Sequence, residues 1–423
     1  MKLLLKTAHI IDPVQNIDCV GDILVQDGKI EKLGQNLQAD GAQVVDAAGL
    51  YAAPGLFDMH VHLRDPGFTA KEDILTGCEA AAAGGFTAVM CMPNTNPVTD
   101  SEEVLSYILE KASHAKADVY PVASITAGMN GEQLSDFAAL KAAGAAAFSD
   151  DGKPVKNAAM MQQAMVECKR VGALIASHCE DLEIIDGGII NKGKVSEALG
   201  VKGMDRSSED SITAREIALA QATGTAIHIC HVSTRGSFNF IRCAKQWGVQ
   251  VTCETAPHYM LLTEEKLLSK DANFRMNPPL RTEDDRKAVL EAICDGTVDA
   301  IVTDHAPHTR EEKSDFYKAP NGVIGLETSF AASYTALVDS GLISLSRLIE
   351  LMTVNPRKLV GIGGGTLKEG EPADIFLFDP KESFVVDKNR MHSKANNTAF
   401  DGMTLKGKVR YTLHRGEIVY SDR

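Results

Sequence analysis

Two histidines, His60 and His62, close an apolar run in the stretch Asp58-Met59-His60-Val61-His62-Leu63-Arg64. On a β-strand this spacing turns both imidazoles to one face, where they can converge on a single metal ion. Taken alone, the pair reads equally well as solvated or satisfied core histidines. Further strand-like runs end in the same way: Leu174 to His178, Ala226 to His231 and Val298 to Asp304, while the run from Ala145 closes on Asp150 and Asp151. Four imidazoles and two carboxylates exceed what one tetrahedral zinc takes. The expectation is therefore a binuclear site, two Zn2+ per chain, with Asp151 bridging. Two divalent ions supply an activated water near neutral pH and polarise a carbonyl at the same time. Asp304 is the candidate general base, taking the water's proton and delivering it to a leaving nitrogen. The competing reading makes Asp304 a cap on a following helix.

Such a cluster forms only if several strands end at one point. Between residues 54 and 365, short apolar runs alternate with amphipathic stretches such as Glu72 to Ala83 and Ala214 to Ala222. Strand ends are predicted near His62, Met92, Ser124, Asp151, His178, His231, Glu254 and Asp304. Eight alternating units predict a (β/α)8 TIM barrel in the α/β class, whose active sites lie at the carboxyl ends of the strands. An open doubly wound sheet would leave the first, fourth, fifth, sixth and eighth strand ends apart. Residues 1–53 and 366–423 carry short β-rich runs with turn signals at Asp27-Gly28 and Arg415-Gly416. Neither segment builds a core alone, so the two are predicted to pair into one small discontinuous β-sandwich. The Gly361 to Gly365 patch reads as the loop returning to that unit.

Composition narrows the partners. With 57 acidic against 43 basic residues, the formal charge of −14 disfavours a nucleic-acid or anionic-membrane surface and leaves a small anionic substrate open. Nine cysteines without a CxxC pair predict reduced thiols in a cytoplasmic protein, with Cys179 and Cys230 as buried structural thiols despite their neighbours His178 and His231. No apolar stretch reaches the ~18 residues a transmembrane helix requires.

The motifs together resemble the cyclic amidohydrolases of the amidohydrolase superfamily, and within them the class I dihydroorotases. The resemblance rests on Asp58 to Gly67 with its HxHLRxPG core, Met92-Pro93-Asn94-Thr95, Ser149-Asp150-Asp151-Gly152, His178-Cys179-Glu180, His231-Val232-Ser233-Thr234, Met276 to Arg281, Thr303 to His308, and Gly325-Leu326-Glu327-Thr328. It implies reversible interconversion of N-carbamoyl-L-aspartate and L-dihydroorotate, the ring-closing step of pyrimidine synthesis. It also implies His60 and His62 on one zinc, His178 and His231 on the other, Asp151 as bridge where many relatives use a carboxylated lysine, and Asp304 as both ligand and proton shuttle.

A carboxylate beside a cyclic ureide calls for a planar cation, and Arg64, two residues past His62 and expected on the same strand face, supplies the fork. Similar enzymes imply Asn94 and His308 at the carboxylate, Asn277 at the ring, and the backbone of Asn321 and Gly322 closing over it. His258 and His305 are expected to be supporting or structural, and the polar run Thr309 to Lys318 to be a loop beside the pocket. Allantoinases and dihydropyrimidinases or hydantoinases are the nearest rivals, acting on other cyclic ureides. A rival of another class is a non-catalytic scaffold for aspartate transcarbamoylase, against which the full ligand set speaks. The resemblance further implies a homodimer.

Overall fold

The computed structural model describes residues 2–422. Eight parallel strands, Leu56–Val61, Phe86–Cys91, Asp118–Ala123, Ala147–Phe148, Leu174–Ser177, Ile227–Ile229, Val251–Thr255 and Ala300–Ile301, neighbour one another in sequence order. The first and last are joined by a parallel bridge between Val61 and His305, with the His62 amide donating to the His305 carbonyl at 2.8 Å. A second tie crosses this seam. The buried Asp58 carboxylate accepts from the amides of His60 and Thr303, at 3.0 Å each. Among the described residues the sheet is thus a closed barrel rather than an open doubly wound one.

Alternation along the strands sorts their side chains into two layers. Leu56, Val89, Cys91, Ile175 and Ile301 belong to the large cluster shared with the surrounding helices. Phe57, Met90, Val122, Ala147 and Ala300 form a second cluster, met by Leu359, Val360 and Ile362. Helices return the chain between strands, among them Ile74–Ala83, Ser207–Thr223 and Arg235–Gln246. The first starts at Asp73, whose carboxylate accepts from the amides of Leu75 and Thr76, the side-chain cap that satisfies otherwise orphaned first-turn donors.

The terminal segments join into one eight-stranded sheet in which Tyr51–Pro54 links Lys2–Asp12 on one side to Ile375–Val385 on the other. It is mostly antiparallel, with Gln43–Asp46 and Tyr51–Pro54 running parallel to Lys2–Asp12. The sheet curls so that the hairpin tip at Gly28 meets the tip at Arg415 and Gly416, enclosing its own core around Leu5, Ile23, Ile375 and Leu413. Among the described residues no helix is long and apolar enough to cross a membrane.

One contact fastens this sheet to the barrel. Gly85, at φ +91°, leaves room that a Cβ would fill 3.0 Å from the Phe376 ring. Phe376, fully buried, also meets Phe330 edge-on at 4.9 Å. Phe376→Ala is expected to cost about 3–5 kcal/mol, the usual penalty for emptying a buried aromatic site, and to lower the thermal unfolding midpoint.

Candidate active site

Asp151 follows the fourth strand, and its carboxylate is ringed by imidazoles from three others. Its Oδ1 lies 3.4 Å from His60 Nε2, 3.3 Å from His178 Nδ1 and 3.6 Å from His231 Nε2, and its Oδ2 lies 3.4 Å from His62 Nε2. Asp304, from the eighth strand end, sits 3.1 Å from His62 Nε2 and 3.8 Å from His60 Nε2. No helix begins at Asp304, so it caps nothing. The structure therefore brings together all six residues expected around the metal. Five of them fall into two groups of compatible donor spacing, His60, His62 and Asp151, and Asp151, His178 and His231, while Asp304 belongs to neither; His60 also has such spacing to Cys230 and Glu254.

Three of the four imidazoles have their outward nitrogen held, which aims the other one into the cluster, where His62 Nε2 meets Asp304 at 3.1 Å and His178 Nδ1 meets His231 Nε2 at 2.9 Å. His60 Nδ1–H donates to Glu254 at 2.6 Å, His62 Nδ1–H to the Asn94 amide oxygen at 2.8 Å, and His178 Nε2–H to Glu180 at 3.2 Å. Such partners fix tautomer and ring orientation for metal ligation. His60 Nε2 and Asp151 Oδ1 are buried without a hydrogen-bond partner, a vacancy of bonding that a divalent cation fits. Burial opposes ionisation of Asp151, yet the charge on His60 and the closeness of the other imidazoles hold its carboxyl well below the usual range. Burial likewise opposes the His178 cation, but Asp151 and Glu180 push it up to about 10. Ligation requires imidazole lone pairs, so metal binding at such a site is coupled to proton release.

Backbone strain is concentrated here. His231, Asp304 and Arg64 adopt φ of +33°, +48° and +60°, uncommon for residues with a Cβ and typical of sites where surrounding structure dictates geometry.

Beside the cluster opens a cavity of about 220 Å³ lined by Arg64, Asn94, Asn277, His308, Asn321 and Gly322 together with the metal-facing groups. All the expected substrate contacts are present, but several arrive differently. The first strand ends at Val61, and Arg64 reaches the pocket through its left-handed turn rather than from the strand face, with Nε donating to the Pro307 carbonyl at 3.2 Å. Asn94 spends its oxygen on His62, leaving its amide nitrogen with only 3.4 Å contacts to Asp151. His308 donates to the Asn321 carbonyl at 2.9 Å; burial and the charges of Arg64, Lys71 and Lys313 push it down to about 3, so it is neutral. Asn277 Oδ1 is buried and unpartnered, an acceptor waiting for a donor. Gly322 has φ +137°, and a Cβ there would lie 2.8 Å from the Ala306 methyl and 2.9 Å from His308 Nε2.

Sequence reasoning placed Glu254 at a strand end without giving it a role. Its carboxylate holds His60 on one oxygen and lies 3.1 Å from His228 Nε2 on the other. Glu180 was visible only as a motif neighbour of His178. Ser233 and Thr234, in the same position after His231, donate their amides to buried Glu209 and serve the fold. His305 accepts from the Gly325 amide at the barrel seam, and His258 is buried and pushed down to about 4 by that burial. All nine cysteines are free. Burial raises the Cys179 and Cys230 thiols, so both are inert structural groups.

A closed barrel with histidines and carboxylates at its strand ends and a small polar cavity beside them defines an amidohydrolase, a class whose chemistry implies a bound metal. The profile described as "Dihydro-orotase-like" matches residues 49–237, and that described as "Amidohydrolase family" matches residues 289–420. A dihydroorotase of Geobacter metallireducens is 50% identical over 99% of this chain and 100% of its own length. One of Geobacter sulfurreducens is 51% identical over the full length of both, and one of Acetivibrio thermocellus 46% identical over 100% and 99%. Among solved structures, the L-hydantoinase of Arthrobacter aurescens superposes with a TM-score of 0.89 at 26% identity, covering 99% of this chain and 96% of that one. The dihydropyrimidinase of Brevibacillus agri gives 0.87 at 25% identity, covering 100% and 95%. The chain belongs to the dihydroorotase family.

Glu254→Ala should free the His60 ring and weaken metal retention about 10–100-fold, as loss of such a partner typically does. Competition with a chelator, followed by metal analysis, measures it.

Proposed function

We propose that this chain catalyses the reversible cyclisation of N-carbamoyl-L-aspartate to L-dihydroorotate, and that His60, His62, His178, His231, Asp304 and Asp151, the last common to both donor groups, would hold two Zn2+. One observation carries the reading: a guanidinium, Arg64, and an unpartnered amide oxygen, Asn277 Oδ1, face the same small cavity as the ligand cluster. That pair suits a molecule with a carboxylate and a ring N–H. The relatives named dihydroorotase, near 50% identity over the full chain, support the same substrate. Allantoin and dihydrouracil bring no carboxylate for Arg64 to read, and would leave the fork of this half-buried guanidinium unused.

In the proposed mechanism the substrate carboxylate docks on Arg64, with the Asn94 amide nitrogen and the polar wall at His308 beside it. Asn277 accepts from the ring N–H, and Gly322, lacking a side chain, lets the ring lie against the backbone. When bound, the metal supplies a Lewis acid that polarises the ring carbonyl and lowers the pKa of water. Asp304 moves the proton. Its carboxyl lies below the usual range, burial being outweighed by the hydrogen bond from His62 and the charge on His60, so it is ionised and ready to accept. In hydrolysis it takes a proton from the attacking water and returns it to the ring nitrogen as the C–N bond breaks. In cyclisation it takes the proton from the attacking carbamoyl nitrogen and gives it to the carboxyl oxygen that departs as water, whose second proton comes from solvent.

The proposal extends to organisation. Residues 54–365 form the catalytic unit and residues 1–53 with 366–423 a supporting one, a division supported by the pocket, all of whose lining falls between His62 and Gly322. A cytoplasmic setting is supported by nine free thiols. A homodimer and docking to an aspartate transcarbamoylase rest on the family resemblance, and sedimentation of the protein alone and mixed with that enzyme checks both.

The deciding experiment is the ultraviolet assay of L-dihydroorotate hydrolysis by zinc-loaded protein, run beside allantoin and dihydrouracil. Activity confined to dihydroorotate is expected; activity on either neutral ring instead would overturn the substrate. Asp304→Asn should lower kcat by about 10²–10⁴ while a substrate-protection assay still shows binding. Arg64→Met should raise KM about 10-fold or more, since a charged hydrogen-bonding pair contributes about 1.5–3 kcal/mol, with metal content unchanged.

A further inference from the structure

The loop after the eighth strand runs from Pro307 to Gly322 over the pocket mouth, and its exposed residues include Glu311, Tyr317 and Lys318. Lys313, in the middle of this polar run, points the other way. Its side chain is buried, and its Nζ lies 3.1, 3.0 and 3.0 Å from the backbone carbonyls of Arg275, Pro320 and Gly322. An ammonium carries three N–H donors, and here each meets one carbonyl. No carboxylate pairs with Lys313 among the salt bridges of the described residues, so the cation is held by backbone dipoles alone.

The three carbonyls share a property: they belong to the two segments that close the pocket opposite the ligand cluster. Arg275 stands two residues before Asn277, Pro320 immediately before Asn321, and Gly322 lines the cavity itself. Further bonds stitch the same two segments. The Gly322 amide donates to the Arg275 carbonyl at 3.0 Å, Arg275 donates to the Asn321 side chain at 3.1 Å, and Asn397 shares the Gly322 carbonyl at 3.0 Å. Lys313 is the one group in this set that reaches both segments with a single atom. A lysine serving only solubility would extend into water.

We propose that Lys313 is a positioning residue that clamps Gly322 and, through Arg275, Asn277 at the distance the substrate ring requires. The inference rests on the reading of the cavity as a dihydroorotate site. Burial first, and then the neighbouring Arg275 charge, push the Lys313 ammonium down to about 7, with Asp271 and Glu312 opposing. Near neutrality a third donor is therefore lost as pH rises, which loosens one carbonyl without emptying the site.

The test uses the full-length, zinc-loaded protein and its Lys313→Met and Lys313→Gln variants. Wild-type turnover of dihydroorotate is measured first, because its absence would fail the substrate reading and not the clamp. With wild type active, the proposal expects KM for dihydroorotate to rise at least 10-fold in Lys313→Met, with kcat within about 3-fold, unchanged metal content and an unchanged circular dichroism spectrum. Lys313→Gln, which keeps two donors, should fall between. Added methylammonium should lower the KM of Lys313→Met and leave wild type unaffected, a rescue that a merely structural role would not show. A wild-type KM in both variants overturns the clamp. So does failure of both to fold, which would assign Lys313 to the barrel rather than to the pocket.

Discussion

A carboxylate buried among four imidazoles is the constraint on which the rest of this molecule depends. Asp151 and the surrounding rings place several titrating groups within about hydrogen-bonding reach of one another and out of contact with water. Such an assembly is costly unless every charge is matched. Matching here proceeds outward in shells: Glu254, Asn94 and Glu180 take the far nitrogens, and these groups are themselves held, Glu254 by His228 as well as by His60. The inward lone pairs that remain have one suitable partner, a cation. Strain at His231 and Asp304 is the backbone's share of the same bargain, tolerated because hydrogen bonds and packing on all sides over-determine each position.

Barrel closure is what brings these shells together, and closure is itself local to the site. The seam between first and eighth strands consists of one bridge at Val61 and His305 and the Asp58 carboxylate, which grips the amides of His60 and Thr303. A residue of the HxH strand thus fixes His60 and the neighbour of Asp304 at once. The terminal sheet contributes from outside. It stacks Phe376 onto Gly85, and the segment before its last strands sends Asn397 to the carbonyls of Ala306 and Gly322 and to the His308 amide. Residues far along the chain from the pocket therefore steady its mouth.

The metal-facing residues were legible in the sequence because barrel geometry puts strand ends on one rim, so an apolar run ending in His or Asp announces its own position. The supporting residues were not. Glu254 and His60 are 194 positions apart, and nothing in either neighbourhood reports that their strands flank the eighth on its two sides. Asn94 and Arg64 were placed at the pocket correctly in space, yet their present bonds go to His62 and to the Pro307 carbonyl, because a side chain's partner depends on rotamer and on backbone turns that spacing does not encode. The left-handed turn at Arg64 illustrates this: strand periodicity stops at Val61, and the guanidinium arrives by a conformation that few non-glycine residues adopt. Lys313 was hidden more completely, since a lysine in a polar loop carries no sign of burial.

These polar details explain how a fold shared with hydantoinases can serve a different ring. Superposition with those enzymes extends over nearly the whole chain, so neither the barrel nor the general place of the cavity distinguishes substrates. Distinction must come from the wall facing the ligand cluster. There burial first, and then the charges of Arg64, Lys71 and Lys313, keep His308 neutral. Lys71 is paired with Glu312 at 2.8 Å and Lys313 is held by backbone carbonyls, whereas Arg64 has no carboxylate partner among the salt bridges of the described residues and only its Nε is engaged, by the Pro307 carbonyl. On the proposed reading a carboxylate matches that guanidinium fork and a neutral ring does not, so selectivity among cyclic ureides follows from this one side chain and not from the shared barrel.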